Sequence, residues 1–273
     1  MRKLLRTAAW YLLAGLVSFA LLLPFFWMIS TSLKTQGALM ALPVQWLPAR
    51  LTFDSYVRVF ELVPFVRAVA NTAVVAVATC LITVTTSAMA AFAFARLRFR
   101  GRNALFGVYL ATLMIPGQVT TIPLFLVLSA VGLIGTFQGL LLPALFNAFA
   151  VFLLRQHMQT IPQDFLDAAK IDGAGLGRVF RSVAMPLSRP IVAALVVILF
   201  MTAWNDYFWP LVILTDQAYH TLTLVLSQLN GQYSTRYNIL MAGSLLSMIP
   251  ILVVYAAAQK YFQSGLQLGG IKG

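Results

Sequence analysis

AVANTAVVAVATCLITVTTSAMAAFAFA, residues 68–95, runs for 28 positions without a single charged side chain. About 20 apolar residues suffice to cross ~30 Å of hydrocarbon at a helical rise of 1.5 Å each. Hydrocarbon offers no water to a bare peptide group, so a helix is the form such a stretch takes. Further uncharged stretches lie on either side: residues 8–29, 103–154 and 237–259, with 190–215 interrupted only by Asp206. The 52 residues of 103–154 are too many for one crossing and suit two, turning in the glycine-rich SAVGLIG of residues 129–135. Across the whole chain of 273 residues, 60% are apolar and 10% charged, where a soluble domain carries about 25% charged.

The pattern predicts an all-α membrane protein with six transmembrane helices at approximately 8–31, 68–95, 103–128, 136–156, 189–214 and 237–260. A loop at 157–188 and a tail at 261–273 complete a single transmembrane domain, 1–273. Placing the N-terminus inside puts 14 of the 19 basic residues on the cytoplasmic side and leaves Lys34, Arg50, Arg58, Arg67 and Arg236 outside. That bias predicts N-in and C-in. The N-terminus has the basic start of a signal peptide, but its apolar run is longer than an h-region and reads as a retained first span.

The net charge of +12 then reflects topology and contact with anionic membrane lipids, and no nucleic-acid partner is expected. The basic run RLRFRGR at residues 96–102 sits between two spans. No G-x-x-x-x-G-K-[ST] loop, G-x-S-x-G, H-E-x-x-H or paired-cysteine motif occurs. His157 and His220 fall on opposite sides of the membrane, and Cys80 stands alone in mid-span. Catalytic residues, a metal site and a cofactor held by this chain are therefore not expected.

Within the spans, Thr79, Thr83, Ser87, Ala91 and Ala95 recur every four residues, a small-residue face suited to close helix packing, in this chain or against a partner. Pro116 and Pro123 interrupt the third span, either beside a transport path or simply shaping the helix. Trp204, Asn205, Asp206 and Tyr207 form a cluster about 24 Å along the fifth span, counted from Pro190. Amide and carboxylate hydrogen bonds with aromatic faces suit a polyhydroxylated solute. The same residues equally suit an interfacial aromatic belt with Asp206 capping a helix.

The stretch RQHMQTIPQDFLDAAKIDGAGLGRVFRSVAMPLSR, residues 155–189, is the longest charged segment. Pro162 and Asp164 mark a helix start, and Gly173 can take the positive φ that ends one. A helix over 163–172 and a second over 176–184 follow. Phe165, Leu166 and Ala169 are expected to share an apolar face of the first, and its small residues fit docking in a groove of another protein.

Asp167-Ala168-Ala169, three residues, Gly173, nine residues, then Val183-x-Met185-Pro186 resembles the EAA loop of ABC-importer permeases. That family pattern is Glu-Ala-Ala, three residues, Gly, nine residues, Ile-x-Leu-Pro. Asp167, Val183 and Met185 depart from it mildly. Leu23-Pro24-Phe25, Ser32-Leu33-Lys34, Ala95-Arg96-Leu97-Arg98-Phe99, Met114-Ile115-Pro116-Gly117-Gln118 and Trp204-Asn205-Asp206 extend the resemblance along nearly the whole chain. They are similar to the second permease of carbohydrate importers, of maltose and glycerol-phosphate type.

The resemblance implies a type I ABC importer permease in the bacterial cytoplasmic (inner) membrane. In that reading Asp167, Ala168, Ala169, Asp172, Gly173 and Pro186 belong to a cytoplasmic coupling helix loop between spans four and five. The partners it implies are a second permease subunit in a heterodimer, two ATPase subunits that bind ATP and Mg, and an extracytoplasmic solute-binding protein. Gly269, Gly270, Lys272 and Gly273 resemble the tail that reaches the ATPase dimer in the maltose type. A frayed end is the other reading. The outer loop at about 217–237 would reach the binding protein. The solute implied is a sugar or related polyol. The rival readings are a self-sufficient secondary transporter, which usually carries several ionisable groups at depth where this chain has only Asp206, and an ABC permease for a non-sugar solute.

Overall fold

A computed structural model describes residues 2–39, 42–230 and 236–269. Among these residues all regular structure is helical. The first half contains α1 (Arg2–Ser32), α2 (Gln36–Leu39), α3 (Asp54–Leu62), α4 (Phe65–Arg96), α5 (Arg102–Ala111), α6 (Gly117–Ala130) and α7 (Phe137–Leu141). The second contains α8 (Ala148–Thr160), α9 (Gln163–Ile171), α10 (Leu176–Val179), α11 (Met185–Leu187), α12 (Arg189–Trp204), α13 (Phe208–Ile213), α14 (Leu222–Gln228) and α15 (Tyr237–Gly269).

Among the described residues, four stretches have the length and apolarity to cross a membrane without a sharp bend: Arg6–Ser32, Phe65–Arg96, Phe137–Thr160 and Tyr237–Ala257. Two more candidates are bent. Arg102–Met114 meets Gly117–Ala130 at 102°, and Leu176–Leu187 meets Arg189–Trp204 at 77°. The count is four, or six if each bent pair makes one span. Of the two prolines expected to interrupt the third span, Pro116 is the one that breaks it. Ile115 is extended (φ −88°, ψ 115°) and Pro116 follows at φ −58°, ψ 131°, because a proline ring disfavours helical backbone in the residue before it. Pro123 lies inside the uninterrupted α6. The expected fifth helix also ends early, at Trp204, and resumes only at Phe208.

The chain divides into two compact units, residues 1–67 with 224–249 and residues 68–223 with 250–273. In the first, Val59, Val225, Ile239 and Ala242 are buried. Gly243 permits close approach there, since a Cβ would fall 2.8 Å from Leu226 Cδ2.

In the second unit, Thr83, Ser87 and Ala91 of the small-residue face are fully buried. That face packs inside this unit, and Thr83 Oγ1 donates to the carbonyl of Ala144 at 2.9 Å. The SAVGLIG turn forms with Gly132 and Gly135 both at positive φ, and Gly135 N–H donates to Ile213 O at 2.8 Å.

Candidate functional site

The segment after α8 is built from local signals. α9 follows Pro162, whose ψ of 138° keeps it outside the helix. At the other end Gly173 adopts φ 78°, a left-handed conformation that costs glycine nothing. Gly173 N–H donates to Lys170 O and Ala174 N–H to Ala169 O, both at 2.9 Å, which satisfies carbonyls the helix end would otherwise leave bare. α10 follows, then a π-helical turn at Phe180–Ala184 and α11.

Leu166, Val179 and Ala184 turn inward, each 3% exposed or less. Phe180 reaches Phe92 of α4, ring centroids 5.3 Å apart. The expected single apolar face of α9 is split. Leu166 anchors the helix, while Phe165 is 55% exposed and Ala169 half-buried. The reason is geometric: adjacent residues on a helix point about 100° apart, so 165 and 166 do not share a direction. Outward-facing Phe165, Ala168, Ile171 and Leu176 leave a small apolar surface on this loop. Asp172 and Gly173 are exposed beside it, and Pro186 lies in α11.

Asp167 accepts from Lys170 Nζ at 2.9 Å and from Gln163 Nε2 at 3.1 Å. Those donors, Lys170 foremost, hold its carboxyl below the usual carboxylate range. Arg96, legible in the sequence only as an inside charge and part of the Ala95–Phe99 resemblance, stands at the end of α4 and donates to Met158 O, Ile161 O and Gln163 Oε1.

The cluster at the end of α12 is used mostly within the chain. Trp204 is 2% exposed and stacks on Phe200, centroids 5.3 Å apart at 22°. Asn205 Nδ2 donates to Met201 O at 2.8 Å. Asp206 accepts from Trp209 N–H at 3.2 Å, capping the start of α13. A cavity of about 190 Å³ opens here, lined by Thr79, Thr83, Asn147, Thr202, Asp206 and Trp209 among others. Of Trp204, Asn205, Asp206 and Tyr207, only Asp206 lines it. Tyr207 is 42% exposed. Thr79 and Thr83 were legible as small residues but not as cavity walls, because that depends on what lies opposite.

Gly269 ends α15, whereas Gly270, Lys272 and Gly273 lie outside the described residues, as does 231–235 of the outer loop. In the described part of that loop, Asn71 Nδ2 donates to Ala218 O and His220 O at 2.9 and 3.0 Å. Lys34, counted in the sequence only as an outside charge, is 2% exposed. Its Nζ donates to Gln45 O and lies 4.4 Å from the Trp27 ring centroid.

Membrane-length helices joined by a short-helix loop with an outward apolar surface mark an integral membrane protein. The chain belongs to the family of binding-protein-dependent transport system inner membrane components, whose model matches residues 83–267. The arabinooligosaccharides transport system permease protein AraQ of Bacillus subtilis (strain 168) is 32% identical over 261 residues, 94% of this chain and 93% of that protein. The lactose transport system permease protein LacG of Rhizobium radiobacter is 33% identical over 272 residues, covering 100% and 98%. Among solved structures, a chain of a bacterial ABC transporter involved in import of the acidic polysaccharide alginate superimposes with TM-score 0.85 at 26% identity, covering 96% of this chain and 98% of that one.

Proposed function

We propose that this chain is a permease subunit that carries a sugar or related polyol inward across the cytoplasmic membrane, driven by separate ATPase subunits. The observation that carries the coupling part is α9. It is a short helix anchored by Leu166, closed by Gly173 at φ 78°, with Phe165, Ala168 and Ile171 facing outward. An apolar, well-capped surface of this kind suits a groove in another protein. The solute class rests on the relatives, which are named for arabinooligosaccharides and lactose, and on the neighbour named for alginate.

In this reading the whole chain, 1–273, acts as one permease domain crossing six times with both termini inside, each bent pair counting as one span. It pairs with a second permease subunit. Two ATPases hold ATP and Mg below, and a solute-binding protein delivers from outside, near the loop at 217–237. Asp167, Ala168, Ala169, Asp172, Gly173 and Pro186 form the ATPase contact, and Gly269, Gly270, Lys272 and Gly273 extend it. Asp206, with Thr79, Asn147 and Thr202 around the same cavity, offers hydrogen bonds to hydroxyls, with Trp204, Asn205 and Tyr207 shaping that end of the path. ATP binding closes the ATPases, α9 follows, and rigid groups of helices rock to expose the path to each side in turn.

The test is purification of the tagged chain from its native membrane in mild detergent, with mass spectrometry of what accompanies it. Recovery of a second permease and an ATPase, lost with Gly173→Asp, supports the reading. Recovery of this chain alone, still transporting in vesicles without ATP, overturns it in favour of a secondary transporter.

A further inference from the structure

Arg96 closes α4, the 32-residue helix Phe65–Arg96, and its guanidinium meets three consecutive pieces of chain. Nε donates to Met158 O at 2.9 Å, in the last turn of α8. Nη2 donates to the same carbonyl and to that of Ile161, which caps α8. Nη1 donates to Gln163 Oε1 at 3.1 Å, on the first residue of α9. The hydrogen bonds then run on: Gln163 Nε2 to Asp167 Oδ1 at 3.1 Å, and Lys170 Nζ to the same oxygen at 2.9 Å. One connected series therefore leads from a membrane-length helix into the middle of the loop helix.

The chemistry suits arginine alone. A helix leaves its last four carbonyls without intrahelical donors and its C-terminus partly negative. A planar guanidinium with five N–H groups in a fixed fork can serve acceptors spread over several residues, where a lysine ammonium is a single point. Among the described residues no carboxylate forms a salt bridge with Arg96, so its charge is matched by carbonyl dipoles and one amide.

We infer that Arg96 is a positioning residue for energy coupling: it fixes the start of α9 to the end of α4, so that displacement of the loop helix is passed to α4 as a rigid movement. This rests on the importer reading above. A merely structural Arg96 would lower stability and assembly together. A coupling Arg96 separates ATP hydrolysis from the movement of the membrane helices. Gln163 is the second handle, because it is exposed and its replacement leaves both carbonyl contacts of Arg96 in place.

The experiment uses the complete importer in lipid nanodiscs in a Cys80→Ala background, which removes the native thiol of α4, with Val66→Cys at the exposed start of α4 as a reporter labelled by a membrane-impermeant maleimide, with and without ATP plus vanadate. In the parent complex, nucleotide trapping should change the labelling rate about tenfold, within the range of ordinary coupling free energies. In Arg96→Met and in Gln163→Leu, ATP hydrolysis should continue while the change falls below about twofold, with Arg96→Lys intermediate. A full change in Gln163→Leu together with either a full change or outright loss of assembly in Arg96→Met overturns the inference and leaves Arg96 a structural residue. If Arg96→Met does not accumulate, Gln163→Leu decides alone. No labelling change in a parent complex that takes up solute also overturns this inference, whereas absence of ATP-driven uptake by the parent defeats the importer reading itself, and this inference with it.

Discussion

The loop at 157–188 and the break at 205–207 both interrupt apolar helices, yet they dispose of their side chains in opposite ways. In the loop, Phe165, Ala168, Ile171 and Leu176 face outward, and the polar partners of Asp167 are its own exposed neighbours Gln163 and Lys170. At the break, Trp204 is enclosed against Phe200, and Asn205 and Asp206 bind backbone groups of the helices they terminate and start. A surface left facing outward and a junction absorbed by its own fold are different objects, although both look like polar clusters amid hydrophobic sequence.

Three measurements break or sharpen that contrast. The largest effect is expected from Trp204→Ala, which empties a site only 2% exposed and should cost about 3–5 kcal/mol of stability, read from unfolding in detergent. A loss below about 1 kcal/mol, typical of a peripheral position, would mean that the indole serves a solute or partner and not the fold.

Gly173→Asp comes next. A Cβ at Gly173 meets nothing within 4 Å, and αL backbone is tolerated by aspartate better than by most residues, so the chain should still fold and insert. Capture of the ATPase should weaken by about thirtyfold, the worth of an interface hot spot, measured by co-purification against added ATPase. Unchanged capture would remove the loop from the docking surface.

The smallest effect concerns pH. Lys170 and Gln163 hold the Asp167 carboxyl below the usual range, so its folded pKa lies under its unfolded one. Its contribution to α9 is complete above the ordinary carboxylate value of about 4 and drains away as pH falls through the lowered value. Amide protection in α9, corrected for intrinsic exchange, should fall over that interval in the native chain and lose this pH dependence in Asp167→Asn.

What could be read from sequence follows the range of the interaction. Apolar length, the turn at Gly132 and Gly135, and the Pro162-to-Gly173 helix are set by residues within a few positions of one another, and the fold bears each of them out. The bend at Pro116 was visible as a proline but not as 102°, since an interior proline can equally be absorbed, as Pro123 is in α6. The early end of α12, the enclosure of Lys34 by Trp27 and Gln45, and the reach of Arg96 to residues more than 60 positions away depend on contacts that no local pattern encodes. Positive residues were counted for topology, a sum in which a buried cation and a hydrated one weigh the same.

Cys80 gives this architecture a built-in tell-tale. It is the only thiol in the chain, 6% exposed in α4 with Sγ 3.6 Å from the carbonyl of Val196 in α12. While those two helices stay in contact, a thiol-specific reagent in the surrounding water finds no exposed thiol on this polypeptide. Modification of the unaltered protein therefore times the parting of α4 from α12, and its rate is a clock for how often that seam opens.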